Sequence, residues 1–497
     1  MDEQETRGLA PDQPVRVRYA PSPTGYPHVG NIRTALFNWL FAQHYGGRFI
    51  LRIEDTDRAR IVEGALESIL ASLRWLGMDW DEGPDVGGEY GPYFQSERSG
   101  LYQPIADQLI KDGRAYYCYC SPERLKTMRE EQARRKQPPG YDRLCRDLSN
   151  EERAKLETQG INPVLRFKTP LEGQTSFHDL IRGDVTVGNS TLDDFVLLKS
   201  DGYPTYHLAS IVDDHAMRIS HVLRADEWLA SSPRHVLLYE AIGYKPPQFI
   251  HLPMILGPDH AKLSKRHGTT ALTDYQKQGY LPQSMVNFLA LLGWSLDDKT
   301  ELFTIEELIQ HFSVERLSKT GAIFNVEKLN WMNGVYMRNL PAKEFIERAI
   351  PFLEKGLPPE VERPLPLDYL RRILPLEHER AKTFSELPEL VSFFFSRDLE
   401  YDANLLLVKK MTREKALEAL TTAGERLGAL GSFDATTLEE LIRPLATELE
   451  LKTGELFGTL RVAVTGRTAA PPLFETMEVL GRERCLERID TALQKLQ

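Results

Sequence analysis

Two short loops concentrate residue types that can handle a polyphosphate. In PSPTGYPHVGN (residues 21–31), the prolines stiffen the chain, Gly25 lets it bend, and Gly30 removes the side chain that would hold a ligand off the backbone. A helix beginning there offers N–H groups to phosphate, and His28 can aim a donor at the same place. In GPDHAKLSKRHG (Gly257–Gly268) three cations, Lys262, Lys265 and Arg266, crowd a loop bounded by glycines. Their repulsion is costly without an anion, and point-charge lysines are suited to neutralising charge that builds up on phosphates. Taken singly, each loop has a plainer reading: a proline-rich turn with an incidental histidine, and a solvated basic loop. A third cluster is Cys118-Tyr119-Cys120, followed after a basic linker by Cys145 in YDRLCRD, with Tyr141 and Asp147 on either side. Closely spaced thiolates suit tetrahedral Zn²⁺, but three cysteines are one ligand short. Tyr141 and Asp147 both remain open as the fourth, as does the alternative of unligated thiols.

These loops need rigid elements to hold them. VRVRY (15–19) alternates apolar and charged residues, the period of a half-buried strand, and runs directly into the proline-rich loop. Ile32, Ala35, Leu36, Trp39 and Leu40 then recur at helical spacing until Gly46 and Gly47. RFILRI reads as a buried strand, and EDTD as the cap of a helix striped by Ile61, Ala65, Ile69, Leu73 and Leu76 and ended by Gly77. This βαβα order predicts a parallel sheet covered by helices, whose carboxyl edge is the usual ligand site. From about Ser96 to Ser210 the chain looks inserted, with the cysteines, the polar stretch MREEQARRKQPPG and short β-like runs VLRFKT, DVTVG and FVLLKS. Strand signals return at HVLRADEW and FIHLPMIL. From about Thr304 the pattern is helical, with breaks at PLPLDY and TAAPPL.

At 497 residues, 41% of them apolar, the chain is long enough for several cores. A net charge of −11 argues against polyanion binding over the whole surface but leaves room for a local basic face. Four cysteines, three of them clustered, do not form a disulfide framework and fit a reducing compartment. No apolar run approaches a membrane span, and MDEQETRGLA lacks the features of a signal or transit peptide, with Asp2, Glu3 and Glu5 against Arg7. A cytoplasmic protein with a loose N-terminal tail is expected.

HVGN (28–31) and KLSKR (262–266) resemble, in order and separation, the two signature motifs of class I aminoacyl-tRNA synthetases. RYAPSPTG (18–25), RTALFNW (33–39), RIEDTDR (52–58), DEGPDVGG (81–88), LLKSDGYPTYHLA (197–209), RADEW (224–228) and WMNG (331–334) are similar to the glutamyl-tRNA synthetases of the bacterial type, and the likeness continues through LRVAVTG (460–466) and LFETMEVLG (473–481). It covers nearly the whole chain.

The resemblance implies a Rossmann-like α/β catalytic domain (1–98 and 211–256) and an α+β acceptor-binding insertion (99–210). A stem-contact domain with the KLSKR loop (257–340) and two all-α anticodon-binding domains (341–410 and 411–497) complete the chain. It implies glutamate activation by ATP with Mg²⁺, then transfer to tRNA(Glu), by a monomer that needs tRNA bound to activate glutamate. His28, Gly30, Lys262, Ser264 and Lys265 are the implied catalytic set, and Glu227 and Leu256 join His28, Gly30, Lys262 and Lys265 around ATP. Arg18 and Arg224 match the carboxylate partners of glutamate, Glu54 lies where its amino group is expected, and Ala20, Ser22 and Tyr206 bound the site. Such a site favours glutamate over glutamine, because the amide would put a donor against an arginine. Arg380 matches a contact to the third anticodon base, and some relatives carry a structural Zn²⁺ in the insertion. Ser210 departs from the pattern, where relatives carry Asn.

Other readings make different demands on the sequence. An enzyme that glutamylates a modified tRNA base lacks the helical second half, and a glutaminyl enzyme ends in β-barrels. An RNA-binding protein without catalysis would lose His28 or Lys262, and a small-molecule nucleotidyltransferase needs no long helical half.

Overall fold

The charged residues of VRVRY do not face water. Strand β1 (Arg16–Tyr19) is buried along its whole length, so the expected half-buried strand is covered on both faces. Its arginines survive there because each finds a carboxylate: Arg16 Nη1 lies 2.7 Å from Glu82, and Arg18 Nε 3.0 Å from Asp214. The computed structural model describes residues 14–268, 270–408 and 411–497. The N-terminal tail with Asp2, Glu3, Glu5 and Arg7 lies outside the described residues, as does the side chain of Lys265.

The helix Val29–His44 follows β1 and ends where Gly46 takes a φ of +59°. β2 (Arg48–Leu51) returns parallel to β1, with Val17 opposite Phe49. Gly47 is needed at that return, since a Cβ would stand 2.4 Å from the Val15 carbonyl oxygen. The sequence predicts that EDTD caps the next helix, and it does not. That helix runs Ala65–Trp75 behind Gly64 at φ +75°, and Asp55 instead accepts from the backbone N–H and hydroxyl of Ser96 at 2.8 and 2.6 Å. Asx-type side chains readily take such loop bonds.

Between these elements and the second βα repeat lie β3 (Ala115–Cys118), β4 (Val164–Phe167), β5 (Gln174–Asp179), β6 (Gly183–Gly188) and β7 (Val196–Leu198). β3, β4 and β7 form an antiparallel sheet. The parallel pair β8 (His221–Ala225) and β9 (Gln248–Leu252) is extended by the β5–β6 hairpin, giving the order β6-β5-β9-β8. Ser220, just ahead of β8, donates to the Arg16 carbonyl at 2.9 Å and so draws β1 alongside. The expected border at residue 210 falls inside the helix Tyr206–Ala216, and the β5–β6 hairpin, counted with the insertion, joins the sheet of β8 and β9. Finally β10 (Ile255–Leu256) pairs parallel with β11 (Ala322–Ile323).

By internal packing the chain forms two compact units: residues 14–274 with 285–325, and residues 275–284 with 326–497. Among the described residues the second unit is all helical from Val326–Arg338 to Arg482–Leu496. Its core includes Phe345, Leu353, Leu370, Leu420, Leu460 and Ile489, all at most 2% exposed. The helical pattern expected from Thr304 begins there, because Thr304 caps the helix Ile305–His311 in a reciprocal box with Glu307. Among the described residues no helix is long and apolar enough to cross a membrane.

Candidate active site

The first loop meets, backbone to backbone, the segment that follows the second. Val29 N–H donates to the Thr270 carbonyl at 2.9 Å, and His28 bridges antiparallel to Ala271. His28 caps the helix Val29–His44 by accepting at Nδ1 from Gly30 N–H at 3.1 Å, which leaves Nε2 to carry the proton toward solvent. A Cβ on Gly30 would lie 3.0 Å from the imidazole, so the small residue keeps the ring in this rotamer. Burial, then the charge of Lys262, holds His28 below the ordinary histidine value, against a pull from Glu227. The ring is therefore a neutral donor.

The second loop is a tight hairpin in which Leu256 bridges Lys262 and Gly257 N–H donates to Ala261 at 2.8 Å. Lys262 is ion-paired with Glu227, and Arg266 with Asp259 at 3.1 Å. Lys262 and Arg266 are thus held by carboxylates of the chain itself, which eases the repulsion expected from sequence. Ser264 N–H donates to His267 Nδ1 at 3.1 Å. Gly257 packs on that ring, and a Cβ there would lie 2.8 Å from it.

Beyond the proline loop the chain gathers a cluster of buried charged side chains. Glu54 N–H donates to the Pro21 carbonyl at 2.9 Å, which brings RIEDTDR against the loop that carries half-buried Ala20 and exposed Ser22. Arg18 and Arg52 share one oxygen of Asp214, at 3.0 and 2.7 Å, and Arg52 also reaches Glu54 at 3.2 Å. Burial raises Asp214, but Arg18 and Arg52 outweigh it and hold the carboxyl below its usual range. Burial wins at Glu54 and pushes it up. Arg224, near the end of β8, donates to His251 Nε2 at 3.0 Å, to the Tyr206 hydroxyl at 3.0 Å and to Ser232 at 2.7 Å. Both arginine clusters act on the buried hydroxyl of Tyr239, which burial raises, Asp214 raises further, and Arg18, Arg52 and Arg224 lower. Ser210 is buried, and its hydroxyl has no partner among the described residues.

The sulfurs of Cys118, Cys120 and Cys145 lie within 4.8 Å of one another, the last two 3.6 Å apart. Sulfurs on a tetrahedral zinc at about 2.3 Å stand about 3.8 Å apart, so the trio fits that ion. The Tyr141 hydroxyl lies 3.2 Å from the Cys118 sulfur and 3.6 Å from that of Cys120. Asp147, the other sequence candidate, is 82% exposed and paired with Lys168 at 3.3 Å. The structure brings Tyr141, and not Asp147, to the thiols.

In the helical unit Arg380 is half-buried, paired with Glu377 at 3.1 Å and bonded to the Ala469 carbonyl at 3.2 Å. Burial pushes the Glu377 carboxyl up to about 7, against Arg380 and Arg467.

The chain matches the family described as tRNA synthetases class I (E and Q), catalytic domain, over residues 14–331, and an anticodon binding domain over residues 344–493. It is 62% identical over 482 residues to a glutamate–tRNA ligase of Dehalococcoides mccartyi, covering 97% of this chain and 98% of the relative. It belongs to the glutamate–tRNA ligase family. A Moorella thermoacetica member is 47% identical, covering 96% of this chain and 98% of that one. A crystal structure of a glutamate tRNA ligase from Elizabethkingia meningosepticum in complex with its amino acid superposes with a TM-score of 0.86 at 37% identity, covering 98% of this chain and 100% of that one.

The two arginines singled out in the sequence, Arg18 and Arg224, are held by partners that motif reading did not name. Asp214, Asp179, Ser232, His235 and His251 all touch Arg18 or Arg224, or one step removed. A signal existed in the sequence: His251 interrupts the apolar run FIHL, and Asp213-Asp214 interrupts a buried helix face, and buried polar residues of this kind need partners.

Proposed function

We propose that this synthetase attaches L-glutamate to tRNA(Glu) in two ATP-driven steps. A carboxylate oxygen of glutamate attacks the α-phosphorus of ATP and pyrophosphate leaves. A hydroxyl of the terminal tRNA ribose then attacks the acyl carbon and AMP leaves. The observation that carries the reading is the nearness of HVGN to KLSKR, since Lys262 acts on the His28 ring and Thr270, just past KLSKR, accepts from Val29 N–H, in a unit that also buries Arg18 and Arg224 near strand ends. Transfer of this kind depends on positioning and charge neutralisation and uses no protein nucleophile.

His28 donates to the phosphates from Nε2 while its Nδ1 stays on Gly30. Lys262 exchanges Glu227 for the nucleotide, assisted by Lys265 and Ser264, and Glu227 and Leu256 line the ATP side. Mg²⁺ arrives on the nucleotide. Arg18 and Arg224 take the carboxylates, Tyr206 adds a hydroxyl, and Glu54, with Ala20 and Ser22 around it, faces the ammonium. Glutamine is rejected because its amide donor would oppose a guanidinium donor.

Cys118, Cys120, Cys145 and Tyr141 would hold one zinc, which supplies cross-linking of the insertion and no chemistry. Arg380 reads the third anticodon base. The enzyme acts as a cytoplasmic monomer.

The test is charging of purified tRNA(Glu) and tRNA(Gln) with labelled glutamate, wild type beside Lys262→Ala and Arg224→Ala. Loss of tRNA(Glu) charging in both variants is expected, and the tRNA(Gln) lane reports discrimination. Glutamate on neither tRNA with wild type would overturn the assignment.

A further inference from the structure

Arg18 and Arg224 are held in opposite ways. Arg18 shares the Asp214 carboxylate with Arg52, so its charge is already answered inside the protein. Arg224 is 5% exposed, yet among the described residues none of its contacts is a carboxylate. Nε meets His251 Nε2 at 3.0 Å, Nη1 meets the Tyr206 hydroxyl at 3.0 Å and His235 Nδ1 at 3.3 Å, and Nη2 meets Ser232 Oγ at 2.7 Å. An arginine has only donors, so both imidazole nitrogens must be unprotonated acceptors. The proton of His251 therefore sits on Nδ1, which faces Asp179 Oδ2 at 2.7 Å. Asp179 is fully buried and fixed by the N–H groups of Ile181, Arg182 and His251 at 3.0, 2.8 and 3.0 Å. His235 in turn faces His207 Nδ1 through Nε2 at 3.1 Å.

We propose that Asp179, acting through the tautomer of His251, is a positioning residue for Arg224, orienting its guanidinium while leaving its charge uncompensated for a substrate carboxylate. A carboxylate paired directly with Arg224 would orient it equally well but would already neutralise the charge the ligand needs. One neutral ring between the two charges supplies the orientation and leaves the charge unanswered, with four guanidinium N–H groups on neutral acceptors and one on Nη2 without a partner among the described residues. The proposal rests on the reading of Arg224 as a glutamate-carboxylate partner and adds how that arginine is kept ready.

Burial, foremost, keeps both rings below the ordinary histidine value. At His251 the Arg224 charge adds to this while Asp179 and Asp226 oppose it. At His235 Arg224, His207, Arg18 and His251 all push the same way. Protonating either ring would turn an acceptor into a donor facing Arg224.

The test is glutamate-dependent pyrophosphate exchange in the presence of tRNA(Glu), with KM for glutamate, KM for ATP and kcat measured on folded, full-length variants. In Asp179→Asn the amide donates to His251 Nδ1 and turns Nε2–H against Arg224. The KM for glutamate is expected to rise roughly 10- to 100-fold, with the KM for ATP within about twofold. His251→Gln keeps an acceptor and should stay within about threefold of wild type, whereas His251→Leu, without one, should match Asp179→Asn. In the Asp179→Asn/His251→Gln double variant the amide of Gln can turn its oxygen to Arg224, so it should bind glutamate better than Asp179→Asn alone. If Asp179→Asn does not fold, the Gln and Leu pair at position 251 decides the question. Equal impairment of that pair, or an unchanged glutamate KM in Asp179→Asn, would overturn the proposal. Arg224→Ala separates the two levels: if it leaves the glutamate KM unchanged, the reading of Arg224 itself fails. If it raises that KM while the relay variants do not, only the relay fails.

Discussion

Replacing Asp214 with Asn should lower stability and glutamate KM together, two effects that usually oppose each other. One oxygen of Asp214 accepts from Arg18 at 3.0 Å and from Arg52 at 2.7 Å, and all three side chains are at most 5% exposed. Asn keeps the shape and can keep an acceptor toward both, so what disappears is the charge. Both bonds keep a guanidinium donor and stay charge-assisted, but the buried arginines lose the negative partner they share, a loss of about 3–5 kcal/mol. Chemical denaturation read on the first unit measures this directly. The sign with pH follows from the depressed carboxyl. Its stabilisation is fully present above the ordinary value of 3.8 and is lost as pH falls through the lower folded value. The gap between wild type and Asp214→Asn should therefore close under acid. At the same time Arg18 loses its counter-ion, so its field is available to the substrate and the KM for glutamate should fall. A variant within about 0.5 kcal/mol of wild type at pH 7 would refute the buried triad. A raised KM would refute the view that Asp214 competes with the ligand for Arg18.

Cys145→Ser should abolish binding of one zinc, measured by metal analysis of purified protein, and lower the thermal midpoint of the insertion while leaving the KM for ATP unchanged. His207 and His221 are both held down to about 4 by burial, with the charge of Arg234 adding at His207. They bind protons in the unfolded chain before the folded one, so stability should fall as pH drops from 6.5 toward 4, by up to about 3 kcal/mol for each, measured by denaturant titration across that window. Arg380→Ala should raise the KM for tRNA roughly tenfold in charging assays without altering the KM for glutamate or ATP, whereas an unchanged tRNA KM would remove Arg380 from anticodon reading.

The sequence made the site legible where motif and spacing decide chemistry, and hid it where pairing decides. Taken singly, His28, Gly30 and Lys262 had plainer readings, and they could be named only because HVGN and KLSKR occur together in the order and separation of a known family, while the three cysteines could be named from their close spacing. The strand–loop–helix order from Val15 to Gly47 was equally readable from periodicity and glycines. The burial of Arg16 and Arg18 was not. Alternation of period two looks the same whether the charged face meets water or carboxylates, and Glu82 and Asp214 lie 66 and 196 residues away in the chain. EDTD failed as a helix cap for a related reason, since Asp55 found the Ser96 N–H 41 residues on. Local propensity cannot anticipate a partner that tertiary contact brings.

The same distinction separates the two arginines that the resemblance treats alike. From sequence they are both carboxylate partners at strand ends. In the structure Arg18 belongs to a compensated network, in which each cation is held by an acid and a ligand must share it. Arg224 is held by neutral acceptors and has charge to give. A substrate with two carboxylates meeting these two sites should gain most of its electrostatic binding at Arg224 and most of its steric definition at Arg18. Removing the charge should therefore separate the two: Arg224→Gln should raise the KM for glutamate in exchange assays more than Arg18→Gln does.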